Sequence, residues 1–279
     1  SPICEGTATT IQLSSSEVGV NYQLRNDATD APVGPSIAGT GLAIALPTGN
    51  LSATTTFNVL ASNVTCSIEL TDVETVAVDV APIASLTVGV TLDPLCIGGT
   101  SAVTVALSQP GVSYQLRNDA GDVPIGPAIV GTGGTINLST GVLNATTVFN
   151  ILASSGICTP VELTSLATVN VAGNINASLA VTSTVNPICA GTSTFIQVAN
   201  SEAGVNYQLR NDLNDSPVGP PVAGNGGTIN LPTGNLLITT TFNVVASNGT
   251  CSIELTDLET ITLSPSPAIN LSVTPASAL

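Results

Sequence analysis

Gly19-Val-Asn-Tyr-Gln-Leu-Arg-Asn-Asp27 stands three times in this chain, returning with small changes at 111–119 and 204–212. Val20, Tyr22 and Leu24 alternate with Asn21, Gln23 and Arg25. That period of two is the signature of a strand with one buried face. Other landmarks keep the same step. Val33-Gly34-Pro35 is answered by Ile125-Gly126-Pro127 and Val218-Gly219-Pro220, and Phe57, Phe149 and Phe242 share one context. The cysteines fall at 4, 66, 96, 158, 189 and 251, so each pair spans 62 residues, and the first of each pair advances by 92 and then 93. A fixed period of this size marks a tandem array.

Working outward from the Tyr strand, the same alternation recurs. Ile11 and Leu13 share a face, Leu42, Ile44 and Leu46 alternate with alanines, and Phe57, Val59 and Ala61 alternate with Thr56, Asn58 and Leu60. A last run covers 68–80, and turn signals such as Pro-Thr-Gly-Asn separate the runs. Six or seven short strands in about 93 residues describe an all-β chain of three tandem immunoglobulin-like β-sandwich domains. The expected domains are 1–81, 82–172 and 173–266. Leader strands precede the second and third copies (Ala84 to Val90, Ala177 to Ser183), and the first copy has none. Ile269-Asn-Leu-Ser-Val-Thr274, within 267–279, reads as the leader of a next copy. Two readings follow: a window on a longer array, or an orphan strand that completes the first domain of a neighbouring chain.

Composition narrows the function. His, Lys, Met and Trp are absent, the only cations among side chains are Arg25, Arg117 and Arg210, and net charge is −15. Nothing here neutralises phosphates, so nucleic acid is excluded as a partner. Charged residues make up 8% of the chain against about a quarter in an average protein, and neutral Thr, Ser, Asn and Gly replace them. No apolar run approaches the ~18 residues of a membrane helix.

Cys pairing within each copy is the simplest of the 15 connectivities open to six cysteines. The expectation is therefore Cys4–Cys66, Cys96–Cys158 and Cys189–Cys251. Each bond would add about 4 kcal/mol in the loop-entropy model. It would also place the chain in an oxidising compartment. Zinc is disfavoured by the spacing and the lack of His. The pairing requires an even number of strand crossings between partners. Five candidate runs lie there, so the Gly/Pro-rich 31–39 stretch is expected to be an excursion or an edge piece.

Catalytic candidates are few. Without His there is no ordinary nucleophilic triad, and no enzyme activity or cofactor is expected. Recurrent acids stand at Asp27 and Asp30, Asp119 and Asp122, and Asp212 and Asp215, always in Asn-Asp-x-x-Asp. Hard cations such as calcium want clustered carboxylates, but two acids and an amide are a small ligand set. Turn chemistry is the favoured reading. The three Arg occupy one repeated position, open either to a lateral contact with a neighbouring chain or to an ion pair inside the domain. Sequons at Asn50, Asn63, Asn137, Asn144, Asn176, Asn248 and Asn270 are ordinary for a chain this rich in Asn, Ser and Thr.

Each copy opens on Pro-[Ile/Leu]-Cys-x-Gly, at Pro2, Pro94 and Pro187, and carries a Thr-rich element ending in Phe-Asn-[Val/Ile] shortly before its second Cys. In these motifs the chain resembles the Ig-like, PKD-like repeats of giant Bacteroidota cell-surface proteins exported by type IX secretion. Phe stands where that family's element usually has Tyr, and Tyr22, Tyr114 and Tyr207 stand where it often has Trp. The resemblance implies an extracellular shaft segment of a filament or adhesin at the cell surface, with other copies of itself as partners and cell-surface glycans as a further candidate. The alternative is a carbohydrate-binding or spacer array on a secreted enzyme.

Overall fold

The computed structural model describes residues 1–265. The leader strand expected at 267–279 lies outside them. Among the described residues every regular element is a strand. The chain divides into two compact units, residues 1–93 with 98–170, and residues 94–97 with 171 onward.

Each sequence copy lays its strands in two layers. In the first copy one layer pairs Ala8–Leu13 with Ile44–Asn50. The other places the Tyr strand, Asn21–Asn26, between Ile37–Ala38 and Thr55–Ser62. Thr55–Ser62 also carries Ser67–Glu69 and Glu74–Val76 on its far side. The second copy repeats this plan with Ser113–Asn118 against Thr147–Ser154, and the third with Asn206–Asn211 against Thr240–Ser247. In these two copies the other layer gains a third strand, the leader. Val88–Val90 pairs Gly99–Val105, and Val181–Ser183 pairs Phe195–Val198. Ile3–Cys4 runs parallel to Val78–Asp79, and Ile188–Cys189 parallel to Leu263–Ser264.

Most of the alternation read from the sequence is an alternation of burial; the exceptions are Leu42, which is exposed, and Asn58, which is buried although it faces away from Phe57 and Val59. Tyr22, Leu24, Leu46, Phe57 and Val59 are buried in the first copy, and Tyr207, Leu209, Leu231, Phe242 and Val244 in the third. Each such side chain contributes on the order of 1.5–3 kcal/mol. The buried tyrosines keep a polar tip: the Tyr22, Tyr114 and Tyr207 hydroxyls accept hydrogen bonds from the backbone N–H of Glu17, Gln109 and Glu202 at 2.8–2.9 Å.

The cysteines depart from the expected pairing. Cys4 bonds Cys158 and Cys96 bonds Cys251, with Cα atoms 4.9 and 5.5 Å apart. Cys66 and Cys189 are free and exposed. The first cysteine of one copy is thus joined to the second cysteine of the next, and no bond closes a copy on itself.

Parity is the reason. Residues 32–38 form an edge piece, and it makes a full crossing: Pro32 bridges Arg25 at one end of the Tyr strand while Ile37 and Ala38 pair Tyr22 and Asn21 at the other. Five crossings therefore separate Cys4 from Cys66, an odd number. Cys4 stands beside Asp79, next to Val78, whose N–H is bound by Thr54 at the start of Thr55–Ser62. Cys66 stands past its end, where Ser62 pairs Ser67. Eight strand residues hold those ends roughly 25 Å apart. A disulfide tolerates about 7 Å between Cα atoms.

Candidate functional site at the repeat junctions

The junction chemistry starts from a short apolar leader and the two cysteines that flank it in space. In the unit holding the first two copies, residues 79–84 settle against the second sandwich. The Gln109 side chain clamps them, accepting from Ile83 N–H at 2.7 Å and donating to Ala81 O at 3.0 Å. The Asp79 carboxylate accepts from Ile157 N–H at 2.9 Å, beside Gly156, where any Cβ would collide with that carboxylate. Thr164 N–H donates to Ala84 O at 2.9 Å, the leader strand follows, and Cys4–Cys158 locks the arrangement.

The unit holding the third copy repeats this pattern. Glu202 takes the place of Gln109 and accepts from Asn176 N–H at 3.2 Å. Thr256 N–H donates to Ala177 O at 2.8 Å, Asn248 donates to Gly173 O at 3.1 Å, and Cys96–Cys251 is the lock. The leader is held by two carboxylates as well: Asp257 accepts from Val181 N–H at 2.9 Å and Glu259 accepts from the Ser183 hydroxyl.

The first copy has the same fittings with nothing seated among the described residues. A groove of about 600 Å³ runs along residues 9–14 and is closed on its other side by Leu70, Asp72, Glu74 and Val76. A second groove of about 480 Å³ shares Leu70 and reaches Glu17, Tyr22, Asn63 and Cys66. Leu13 is only half-buried there, whereas its counterparts Val105 and Val198 are fully buried under their leaders.

The acidic turns form one recurrent cluster. Asn58, almost fully buried, donates to both Asp27 and Asp30, Asn150 to Asp119 and Asp122, and Asn243 to Asp212 and Asp215. Asp30, Asp122 and Asp215 hold φ of 53–57°, the left-handed turn conformation that Asp tolerates. No group of three or more metal-binding side chains is found among the described residues. Arg25 pairs with Asp30 at 3.2 Å and Glu69 at 3.6 Å, and Arg117 with Asp122 at 3.2 Å and with Glu162. Arg210 lies in register with Asn243 and bridges Pro217. The partner of Arg25 and Arg117 missed at the sequence level is Glu69 or Glu162, brought across the sheet by the strand after the second cysteine. The linker clamp Gln109 was also missed, since one polar residue before the Tyr strand carries no motif.

No protein-family model and no curated protein sequence matches the chain. Among solved structures, the Escherichia coli adhesin FdeC is similar over 95% of this chain and 94% of its own, at 12% identity and a TM-score of 0.51. The ICAM-5 D1–D4 ectodomain fragment is similar over 94% of this chain and 73% of its own, at 12% identity and a TM-score of 0.50. At that identity the likeness bears on fold: an all-β, tandem immunoglobulin-like arrangement.

Proposed function

We propose that this chain is a shaft segment of an extracellular filament or large surface adhesin, working as a load-bearing and adhesive repeat array. One observation carries the reading: consecutive copies are joined by disulfides, Cys4 to Cys158 and Cys96 to Cys251. A load along the array passes through covalent bonds at each junction, in addition to the folded cores. Disulfides of this kind persist outside reducing compartments, which supports an extracellular site. The fold shared with FdeC, described as an adhesin, is in keeping with this reading. The motif resemblance extends it to a Bacteroidota surface protein exported by the type IX route, with other copies of the chain as lateral or axial partners.

Electron microscopy of native material tests the reading. Multi-chain fibres with an axial repeat set by these copies are the expected result. Isolated globular particles that bind oligosaccharides on a glycan array would overturn it in favour of a carbohydrate-binding array.

A further inference from the structure

We propose that Asp79 selects the partner of Cys4: its carboxylate, docked on the Ile157 amide over Gly156, is the key that brings Cys158 to that thiol ahead of any other cysteine. Asp79 is a positioning residue, acting through the turn that carries Cys158. The inference goes beyond the shaft reading and stands without it, because it concerns how one chain sorts its own cysteines.

Strand pairing inside the first copy fixes the key beside Cys4. Ile3–Cys4 runs parallel to Val78–Asp79 with Cys4 in register with Asp79, and Glu5 N–H donates to Asp79 O at 2.8 Å. The target lies one residue before the other cysteine: Ile157 N–H donates to Asp79 Oδ2 at 2.9 Å. Hydrogen bonds to a charged acceptor are stronger than neutral ones. This contact holds the residues flanking both sulfurs, and the Cα atoms of Cys4 and Cys158 stand 4.9 Å apart, inside the span a disulfide needs.

The turn that receives Asp79 is cut to match. Residues 155–158 close through Cys158 N–H, which donates to Ser155 O at 2.9 Å. In the other two copies an Asn stands at the Ser155 position and caps its own turn. Asn63 Oδ1 accepts from Thr65 and Cys66 N–H, and Asn248 Oδ1 from Thr250 and Cys251 N–H, all at 2.8–3.1 Å. Ser155 leaves the matching N–H, that of Ile157, to the carboxylate. Gly156 completes the socket, since a Cβ there would stand 1.8 Å from Asp79 Oδ2, whereas one on its counterpart Gly249 meets nothing within 4 Å.

The Cys96–Cys251 junction carries a different key. Leu95 bridges Val171 in the same parallel register, which puts Ala172 where Asp79 stands. Ala172 has no acceptor side chain, and the Asn248 amide donates instead to Gly173 O at 3.1 Å. An acidic tail meets an open N–H at one junction, and a bare carbonyl meets an amide donor at the other. Asp79 offered to the Asn248 turn would find the Thr250 N–H already taken.

Bond formation needs a disulfide donor, and oxidised glutathione serves. The Cys4 thiolate attacks one glutathione sulfur and expels the other as a thiolate. The Cys158 thiolate, held in place by the docked turn, then attacks the Cys4 sulfur and expels the remaining glutathione thiolate. Two protein thiols are oxidised to one disulfide, and one glutathione disulfide is reduced to two thiols.

The test takes the purified full chain, reduced and folded, and follows its oxidation by glutathione disulfide with acid quenching and peptide mass mapping. Asp79→Ala is expected to slow formation of Cys4–Cys158 about tenfold and to divert Cys4 to other thiols. Cys96–Cys251 forms at its wild-type rate and serves as the control in the same molecule. Asp79→Asn keeps an oxygen acceptor and restores the rate to within about threefold of wild type. Gly156→Ala fills the socket and slows the same bond, and the two Ala substitutions together cost less than the product of their separate effects, because the added Cβ then has no carboxylate to meet. In the reduced wild type the Ile157 amide exchanges with solvent about tenfold more slowly than in reduced Asp79→Ala, since docking precedes the bond. The inference is overturned by an Asp79→Ala chain that forms Cys4–Cys158 at the wild-type rate, or by equal slowing of both disulfides, which would mark a general loss of stability. An Asp79→Asn chain as slow as Asp79→Ala overturns it too, as does an Ile157 amide whose exchange in the reduced chain is indifferent to residue 79.

Discussion

Gly131 backs directly onto the chain: a Cβ there would stand 2.1 Å from Gln109 O and 3.0 Å from the Tyr114 ring. Gly39 and Gly224 meet Glu17 O and Glu202 O in the same way, at 2.0 and 2.2 Å. None of the three needs a left-handed backbone, so the requirement is for space. Gly131→Ala is expected to cost about 1–3 kcal/mol, the usual penalty of overpacking, read as a lowered urea midpoint. The tyrosine behind that glycine supplies a second expectation. Burial raises the pKa of Tyr114 and Tyr207 above 10.0, with the backbone N–H of Gln109 or Glu202 pulling part of the way back and, for Tyr207, the Glu202 carboxylate adding to the rise. The folded state then holds its phenolic protons more tightly than the unfolded chain. Their contribution is complete below about pH 10 and is lost as pH rises through the folded values. Denaturant midpoints measured from pH 8 to 12 should fall above pH 10, and Tyr114→Phe with Tyr207→Phe should flatten that fall. The inward face of the Tyr strand was legible because alternation is local. The work of Gln23 was not: its Nε2 donates to Leu24 O, Val33 O and Gly34 O, tying down the edge strand from the face read as outward.

Strands explain where local reading succeeded and where it failed. Five runs between the cysteines are visible in the sequence, and all five are crossings. Gly and Pro interrupt the 31–39 stretch and mask its strand character, yet an edge strand tolerates Pro on its open side. That single element changes the parity and sends the two cysteines of each copy to opposite ends. The leaders make a complementary case. Ala106 N–H donates to Thr87 O and Ala199 N–H to Ala180 O, both at 3.0–3.1 Å, so these amides are protected by their leaders. Ser14 is the equivalent position in the first copy. In the isolated monomer under reducing conditions its amide should exchange with solvent faster than those of Ala106 and Ala199, as followed by hydrogen exchange. Equal protection at all three would show that the first groove is filled.

At the scale of the molecule the two disulfides interlace, since residues 4–158 and 96–251 overlap along the chain. Closing a loop of separation 154 adds about 5 kcal/mol in the loop-entropy model, somewhat more than an intradomain bond would. The larger consequence is mechanical. Pulled from its ends, the oxidised chain extends only along residues 1–4, 96–158 and 251–279, because the disulfides shunt the rest. In single-molecule force measurements its full extension should therefore reach about a third of that of the reduced chain, at ~3.5 Å per residue. Extension of the oxidised chain to the reduced length would contradict the observed pairing.

Read alone, the chain settles the period, the all-β class, the buried face of the Tyr strand and the tyrosines at each core. All of these depend on residues close in sequence, where alternation and turn chemistry act. Only the folded molecule decides which cysteines meet. That outcome depends on how many strands run the full height of the sandwich, which is a property of all the pairings at once. Three copies, each closed on itself, become copies bonded each to the next, with Cys66 and Cys189 free and exposed.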